Sequence, residues 1–221
     1  MRASTLLHPL RVAAARLVAV LVVMAARFVT AVRAIWRGVE PVPEQRVYFA
    51  NHRSNGDFAL LWTALPPRMR ARTRPVAAAD YWLRSGIRRF VIRDVFNAVL
   101  IDRDPASRTE DPVGLMTDAL DAGASLIIFP EGLRNMTEAP LLPFRTGLYH
   151  LARARPAVAL VPAWIENLNR VLPKGEIVPV PLICKVTFGA AIHLVPGEDK
   201  ETFLTRAHAA LAGLAGAEGT A

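Results

Sequence analysis

The sequence predicts an α/β fold: a largely parallel, twisted sheet flanked by helices and preceded by an N-terminal amphipathic membrane-interface helix. Two observations support this prediction. Short, continuously apolar segments, such as residues 98–102 and 125–129, alternate along the chain with longer segments of helical periodicity. Strands that are apolar throughout are typical of a parallel sheet covered by helices on both faces. The first forty residues differ from the rest, because they are apolar and arginine-containing and carry no acidic residue before Glu40.

Residues 1–40 are interpreted as a basic amphipathic helix that anchors the protein at a membrane. Its longest charge-free run, residues 17–26, is shorter than the roughly 20 residues that cross a bilayer. At about 100° per residue, its arginines fall within one half of the circumference and its large apolar side chains within the other. This pattern is typical of a helix in a membrane interface, with arginine heads on lipid phosphates. The arginines are Arg2, Arg11, Arg16, Arg27, Arg33 and Arg37. A secretory signal peptide, an internal core helix and a spanning helix are the alternatives.

After a proline-containing linker at 40–44, residues 45–215 are predicted to form the α/β domain. Strands are expected at 46–50, 75–79, 98–102, 125–129, 157–163 and 184–188, where apolar residues run together. Helices are expected at 57–65, 80–93, 111–122, 144–153 and 199–214. Pro66-Pro67 ends the first of these helices, Asp80 caps the start of the second, and Gly123 ends the third.

The composition limits the class of protein. The 221 residues are 52% hydrophobic and 21% charged, so they suffice for one folded domain and are too polar for a polytopic membrane protein. Cys184 is the sole cysteine, which excludes an internal disulfide and a cysteine-rich metal site. The formal net charge is +8, and nearly all the basic residues are arginine. Arginine matches phosphate geometry, so an anionic partner is expected.

His52 and Asp57 are candidates for acid–base chemistry. They lie in Asn-His-Arg-Ser-Asn-Gly-Asp, residues 51–57, where a strand gives way to a helix. Residues five apart diverge on a regular helix, so the two side chains can meet only across a turn, and Ser-Asn-Gly is turn-forming composition. The carboxylate would then orient the imidazole and leave its other nitrogen free as a base. The alternative is that both residues merely cap one turn.

Two later strands end in polar residues at the edge where parallel sheets keep their sites. Phe-Pro-Glu-Gly at 129–132 places Glu131 there, and Ile-Asp-Arg at 101–103 places Arg103 there. Arg103 would suit a phosphate, and a surface ion pair with Asp102 or Asp104 is the alternative. The Glu131 segment is alternatively an ordinary strand-to-loop turn.

Taken in order, these segments and Val161-Pro162 resemble the glycerolipid acyltransferase superfamily, which includes the 1-acylglycerol-3-phosphate or lysophospholipid acyltransferases. The resemblance runs from about residue 47 to 189. It implies that His52 is the general base and Asp57 its orienting partner. It implies that Arg103, Glu131, Gly132 and Arg134 bind the glycerol phosphate of the acceptor. The third block commonly reads Gly-Thr-Arg-Ser, whereas residues 132–135 here are Gly-Leu-Arg-Asn, which leaves the acceptor open.

The resemblance implies a membrane-associated enzyme that moves a fatty acyl group from acyl-CoA or acyl-ACP to a lysophospholipid hydroxyl. The favoured acceptor is 1-acyl-sn-glycerol-3-phosphate, which would give phosphatidate, and another lysolipid or a glycolipid is the alternative. No cofactor or metal is expected beyond the acyl thioester co-substrate. The expected partners are the acceptor, the donor and an anionic membrane surface at the cytoplasmic face, and no nucleic acid.

Two other classes of function compete with acyl transfer. A serine hydrolase would use Ser54 as nucleophile, but the sequence has no Gly-x-Ser-x-Gly elbow. A nucleic-acid or polyanion binder would explain the charge, but the basic residues are not interleaved with stacking aromatics, which total 7%.

Overall fold

Strand pairing organises the part of the chain that the computed structural model describes, residues 3–104, 108–166 and 183–216. The strands in these ranges are β1 (Arg33–Trp36), β2 (Arg46–Ala50), β3 (Thr73–Ala78), β4 (Val99–Ile101), β5 (Ser125–Ile128), β6 (Ala159–Glu166) and β7 (Lys185–Phe188). They form one sheet in the order β1-β7-β6-β2-β5-β3-β4. Strands β2 to β6 are mutually parallel, β7 is antiparallel to β6, and β1 is parallel to β7. The predicted α/β fold with a largely parallel sheet is confirmed.

The helices cover both faces of this sheet. They are α1 (Ala3–Thr30), α2 (Asp57–Ala64), α3 (Pro67–Arg70), α4 (Ala79–Trp82), α5 (Gly86–Phe90), α6 (Pro112–Asp121), α7 (Gly147–Ala154) and α8 (Lys200–Ala212), with a π-helical turn at Val91–Val95. Alternate residues of a strand point to opposite faces. Tyr48 therefore packs in the core beneath α2 and the π-helical turn, whereas Val47 and Phe49 pack in the core beneath α6, α7 and α8.

The N-terminal helix is shorter than the predicted 1–40. It ends at Thr30, Ala31 follows with a φ of +41°, and Arg33–Trp36 forms β1. Pairing with β7 supplies backbone hydrogen bonds, and Trp36 stacks on Phe188 with centroids 4.0 Å apart, so tertiary contacts override the helical periodicity here. Arg33 and Arg37 are therefore not on the helix, and the sheet begins before the predicted boundary at 45.

Helix α1 carries two apolar stripes on opposite sides. One stripe, which includes Ala15, Ala19 and Val22, packs against the core. The other is exposed and consists of Leu10, Leu17, Val20, Leu21, Met24 and Phe28. Only 6% of its most apolar 18-residue segment is buried, so α1 is not an internal core helix. By length and composition alone, His8–Thr30 is long and apolar enough to cross a membrane, which the charge-free run of residues 17–26 had not indicated.

The helix predicted at 80–93 is broken into α4, α5 and the π-helical turn. Ser85 starts α5 by accepting a hydrogen bond from the Arg88 backbone N–H. The helix predicted at 144–153 begins later, at Gly147, and the Arg145 N–H that precedes it donates to the Pro130 carbonyl. The other predicted elements match within a few residues.

Candidate active site

The loop after β2 brings His52 and Asp57 together across a turn, as predicted. Asp57 is the first residue of α2, and it is 2% exposed. Its Oδ2 atom lies 2.8 Å from Nδ1 of His52. The same oxygen accepts hydrogen bonds from the backbone N–H groups of Arg53, at 2.7 Å, and Ser54, at 2.8 Å. The same carboxylate oxygen therefore both closes the turn and orients the imidazole.

These contacts determine which imidazole nitrogen is available as a base. The Asp57 oxygen that faces two N–H donors is an acceptor, as an ionised carboxylate must be. The His52 Nδ1 atom must then carry the proton that it donates to Asp57. The second nitrogen, Nε2, keeps its lone pair and has no hydrogen-bond partner among the described residues. The side chain of His52 is 20% exposed, so the ring is not sealed inside the core.

Three further contacts hold His52 in place. Its ring stacks on Phe129, with centroids 4.2 Å apart and an interplanar angle of 21°. Its backbone N–H donates to Oε1 of Glu131 at 2.8 Å, and its carbonyl accepts from the Asn135 N–H at 2.6 Å. The imidazole is thus fixed by loops that follow β2 and β5, which are adjacent parallel strands.

Glu131 is buried, and both of its carboxylate oxygens are engaged within the protein. Oε1 accepts from His52, and Oε2 accepts from the backbone N–H of Leu142 at 2.8 Å. Burial raises the pKa of Glu131. The contacts show a positioning role for Glu131, and its contact with a substrate stays a prediction.

Gly132 and the residues after it form an exposed loop beside His52. The Gly132 N–H closes a turn on the Phe129 carbonyl, and its φ of +72° favours glycine. Arg134 is exposed and makes no hydrogen bond or ion pair with the described residues. Asn135 is buried, donates from Nδ2 to the Ala139 carbonyl and accepts from Thr137. This asparagine therefore stabilises the loop.

Arg103 lies apart from this cluster. It follows β4, the last strand of the sheet, three strand spacings or about 14 Å from β2. Its guanidinium forms two hydrogen bonds with Asp80, at 2.7 and 3.2 Å, rather than pairing with Asp102 or Asp104 as the alternative expected. Hydrogen bonding to Arg103 lowers the pKa of Asp80, so the ion pair persists at neutral pH.

Sequence reasoning missed four residues that shape the site. They are Asn51, Phe129, Asn135 and Arg145. The Asn51 side chain exchanges two hydrogen bonds with the Ile165 backbone, which ties the start of the His52 loop to β6. The signal for Asn51 was its place directly before His52. Nothing local in the sequence indicates that Arg145 lies against Gly132.

Comparisons with known proteins bear on the family and the fold of this chain. The model of the acyltransferase family matches residues 33–166, which is more than half of the chain. The fold is similar to the crystal structure of the 1-acyl-sn-glycerophosphate (LPA) acyltransferase PlsC from Thermotoga maritima, with a TM-score of 0.67. That match covers 96% of this chain and 82% of the other at 18% sequence identity, so it bears on the fold. Comparison with curated protein sequences gave no match.

Proposed function

The chain belongs to the acyltransferase family, and on this premise we propose that it moves a fatty acyl group from acyl-CoA or acyl-ACP to a lysophospholipid hydroxyl. The proposed acceptor is 1-acyl-sn-glycerol-3-phosphate, and the product is phosphatidate. One observation carries the proposal: Asp57 holds His52 Nδ1 at 2.8 Å, while Nε2 has no partner among the described residues. This is the arrangement of a general base that deprotonates an alcohol.

The reaction follows from that arrangement. The acceptor hydroxyl donates a hydrogen bond to His52 Nε2, which takes the proton as the oxygen attacks the thioester carbonyl. The new C–O bond gives a tetrahedral intermediate, and its collapse breaks the C–S bond and releases a thiolate. Asp57 stabilises the imidazolium during this step. The imidazolium then returns its proton to the thiolate, which restores the enzyme.

Binding of the acceptor phosphate is proposed for Arg134 and Arg103. Arg134 supports this role because it is exposed, is unpartnered among the described residues and lies one residue from Asn135, whose N–H holds His52. The Arg103 guanidinium must release Asp80 before it can bind the acceptor phosphate. The Gly132 backbone is proposed to lie beside the acceptor, with Glu131 beneath it as a positioning residue.

The enzyme is proposed to work at the cytoplasmic face of a membrane, with α1 lying in the interface. The exposed stripe of α1 faces away from the core, and Arg16 and Arg27 lie along one border of that stripe. The helix packs along the domain from Arg11, which bonds to Asp94 at 2.8 Å, to the buried Thr30. These contacts hold α1 against the domain along its length, which supports a position in the membrane interface rather than across the bilayer.

The test is a transfer assay on the full chain. The purified protein is incubated with labelled acyl-CoA or acyl-ACP and a panel of acceptors, namely 1-acylglycerol-3-phosphate, other lysophospholipids, monoacylglycerol and a glycolipid, and products are resolved by mass. We expect one acyl group to be added to 1-acylglycerol-3-phosphate.

His52→Ala is expected to lower turnover by about 10²–10⁴-fold. The matched control, His150→Ala, removes an exposed histidine of α7 and should leave turnover unchanged. Near-normal transfer by folded His52→Ala contradicts the proposal.

A further inference from the structure

Arg145 lies across Gly132, on the loop that positions His52. Its backbone N–H donates to the Pro130 carbonyl at 2.8 Å. A Cβ atom on Gly132 would come within 2.4 Å of the Cδ and Nε atoms of Arg145, so the side chain rests directly on the glycine backbone. The Nε atom also lies 3.4 Å from the Glu131 carbonyl oxygen. The stem of Arg145 is therefore held in a defined place before any ligand arrives.

Glu131 links this arginine to the proposed base. The carboxylate of Glu131 holds the His52 backbone, and its carbonyl faces Arg145 Nε. Arg145 and His52 thus both donate a hydrogen bond to Glu131, one to its carbonyl and the other to its carboxylate. Arg145 therefore lies against the same loop residue that holds the His52 backbone.

The charge of Arg145 is not compensated within the described residues. Its two Nη groups make no hydrogen bond or ion pair there, and the side chain is exposed. Arg103 differs, because Asp80 occupies two of its nitrogens, and Arg53 donates from Nη2 to the Thr137 carbonyl. Arg134 is the other arginine of this loop cluster whose charge is uncompensated. Arg145 and Arg134 thus belong to the same loop cluster, and neither guanidinium has an ion-pair partner among the described residues.

We propose that Arg145, together with Arg134, binds the phosphate of the lysolipid acceptor and thereby selects acceptors that carry a phosphate monoester. A phosphate monoester carries close to two negative charges at neutral pH, which match two guanidinium groups. The planar fork of arginine donates two parallel N–H groups to phosphate oxygens. Gly132 permits this geometry, since any side chain there would displace Arg145. The proposal rests on the proposed function, and it adds Arg145 to the residues proposed there to bind the acceptor phosphate.

The test compares matched acceptors in steady-state kinetics at constant acyl-CoA. The two acceptors are 1-acylglycerol-3-phosphate and 1-acylglycerol, which differ only in the phosphate. Arg145→Gln is expected to raise KM for the phosphate acceptor roughly 10- to 100-fold, as expected for loss of charge-assisted hydrogen bonds. The KM values for acyl-CoA and for 1-acylglycerol should not change. Arg145→Lys, which retains the charge without the fork, should recover part of the loss.

The matched control is Arg153→Gln, which removes an exposed arginine of α7 that has no partner among the described residues. It lowers the net charge by the same amount and should leave every KM unchanged. A second measurement does not need turnover: glycerol 3-phosphate binding is followed by calorimetry for the wild type and for Arg145→Gln. We expect binding to the wild type and at least tenfold weaker binding to the variant.

Several results would overturn the proposal. Arg145→Gln with unchanged KM for both acceptors shows that the residue does not bind the phosphate. A fall in kcat with every acceptor, at unchanged KM, shows that Arg145 only supports the Gly132 loop. A wild type that acylates no lysolipid overturns the proposed function, and the calorimetric comparison still decides whether Arg145 forms an anion site.

Discussion

At the scale of single residues, Asp57 organises the proposed chemistry. Its Oδ2 atom accepts two backbone N–H groups and the imidazole Nδ1. The backbone contacts fix the carboxylate independently of the ring, so the ring meets an acceptor that is already in place. Preorganisation of this kind avoids reorientation of polar groups during the reaction. Glu131 performs a similar task beneath the loop, because its two oxygens hold the backbone of His52 and Leu142.

Replacement of Glu131 by glutamine is expected to destabilise the fold. The amide offers one acceptor and one N–H₂ donor, so one of the two backbone N–H groups loses its partner. An unsatisfied buried donor costs about 1–3 kcal/mol. Urea denaturation of Glu131→Gln against the wild type measures this loss. Glu138→Gln, at an exposed glutamate in the same loop, is the matched control. A Glu131→Gln variant as stable as the wild type contradicts the positioning role.

The pH dependence of this stability difference has a definite sign. Because burial raises the pKa of Glu131, the folded protein binds more protons than the unfolded chain between the ordinary glutamate value of 4.5 and the raised value. The free energy of unfolding of the wild type therefore falls as pH rises through that interval. The glutamine variant lacks this ionisation. The difference in free energy of unfolding between the wild type and Glu131→Gln therefore becomes smaller as pH rises. Denaturation curves at several pH values check this, and a widening difference would refute it.

The ion pair between Arg103 and Asp80 gives a second residue-scale prediction. Asp80→Asn frees Arg103 from a competing carboxylate, so KM for a phosphate-bearing acceptor should fall while kcat stays the same. Exposed ion pairs are worth about 0.2–1 kcal/mol, which limits the change to about fivefold. The control is Asp121→Asn, which breaks a similar exposed pair with Arg155. An unchanged KM would mean that Arg103 does not bind the acceptor phosphate.

At the scale of elements, the site depends on how β2 ends. Ala50 pairs with Ala163 of β6, and the next residue, Asn51, continues the pairing with its side chain. Its amide donates to the Ile165 carbonyl at 3.0 Å and accepts from the Ile165 N–H at 2.7 Å. A side-chain amide thus takes the place of a peptide group in the sheet. The backbone is consequently free to leave the strand at His52.

Asn51→Ala should separate the end of β2 from β6. The Ile165 N–H and carbonyl would lose their partners in a buried region, which costs about 1–3 kcal/mol per unsatisfied group. We also expect a lower kcat, because the residue before His52 is released. Thermal unfolding and the transfer assay measure the two effects. Asn55→Ala, at an exposed position of the same loop, should change neither, and equal behaviour of the two variants would contradict this account of Asn51.

At the scale of the whole molecule, α1 gives the protein an apolar outer surface. One side of the helix is part of the core, and the opposite side exposes six large apolar residues. Exposed apolar patches of this kind mark interaction surfaces. Leu17 is 61% exposed and Leu21 is 52% exposed, one turn apart in the middle of the stripe. The proposed occupant of this surface is the bilayer that holds the lysolipid acceptor.

Leu17→Gln combined with Leu21→Gln is expected to weaken membrane binding at least about tenfold, since burying one leucine contributes about 1.5–3 kcal/mol. Flotation with vesicles that contain an anionic lipid measures the bound fraction. Both side chains face away from the core, so the melting temperature should not fall. The control pair, Val42→Gln with Val195→Gln, changes exposed apolar residues outside α1 and should bind like the wild type. Undiminished binding of the leucine variant would refute the docking role of α1.

The sequence alone predicted most elements from Arg46 onward, the unbroken helix at 80–93 excepted, and it predicted the meeting of His52 with Asp57. Apolar periodicity, turn composition and caps act over a few neighbouring residues, so these features are local. The His52–Asp57 contact spans a turn of five residues, and its geometry follows from that turn. The order of the motifs at 51–57, 101–103, 129–132 and 161–162 then indicated the acyltransferase family, which the family match confirms.

Only the tertiary structure decided where α1 ends and which partners the distant side chains take. β1 pairs with β7, Arg103 bonds to Asp80, and Arg145 rests on Gly132. Each of these contacts joins segments that are separated along the chain, and each depends on which strands become neighbours in the sheet. Local patterns carry no information about that neighbourhood, because it is set by the packing of the whole core.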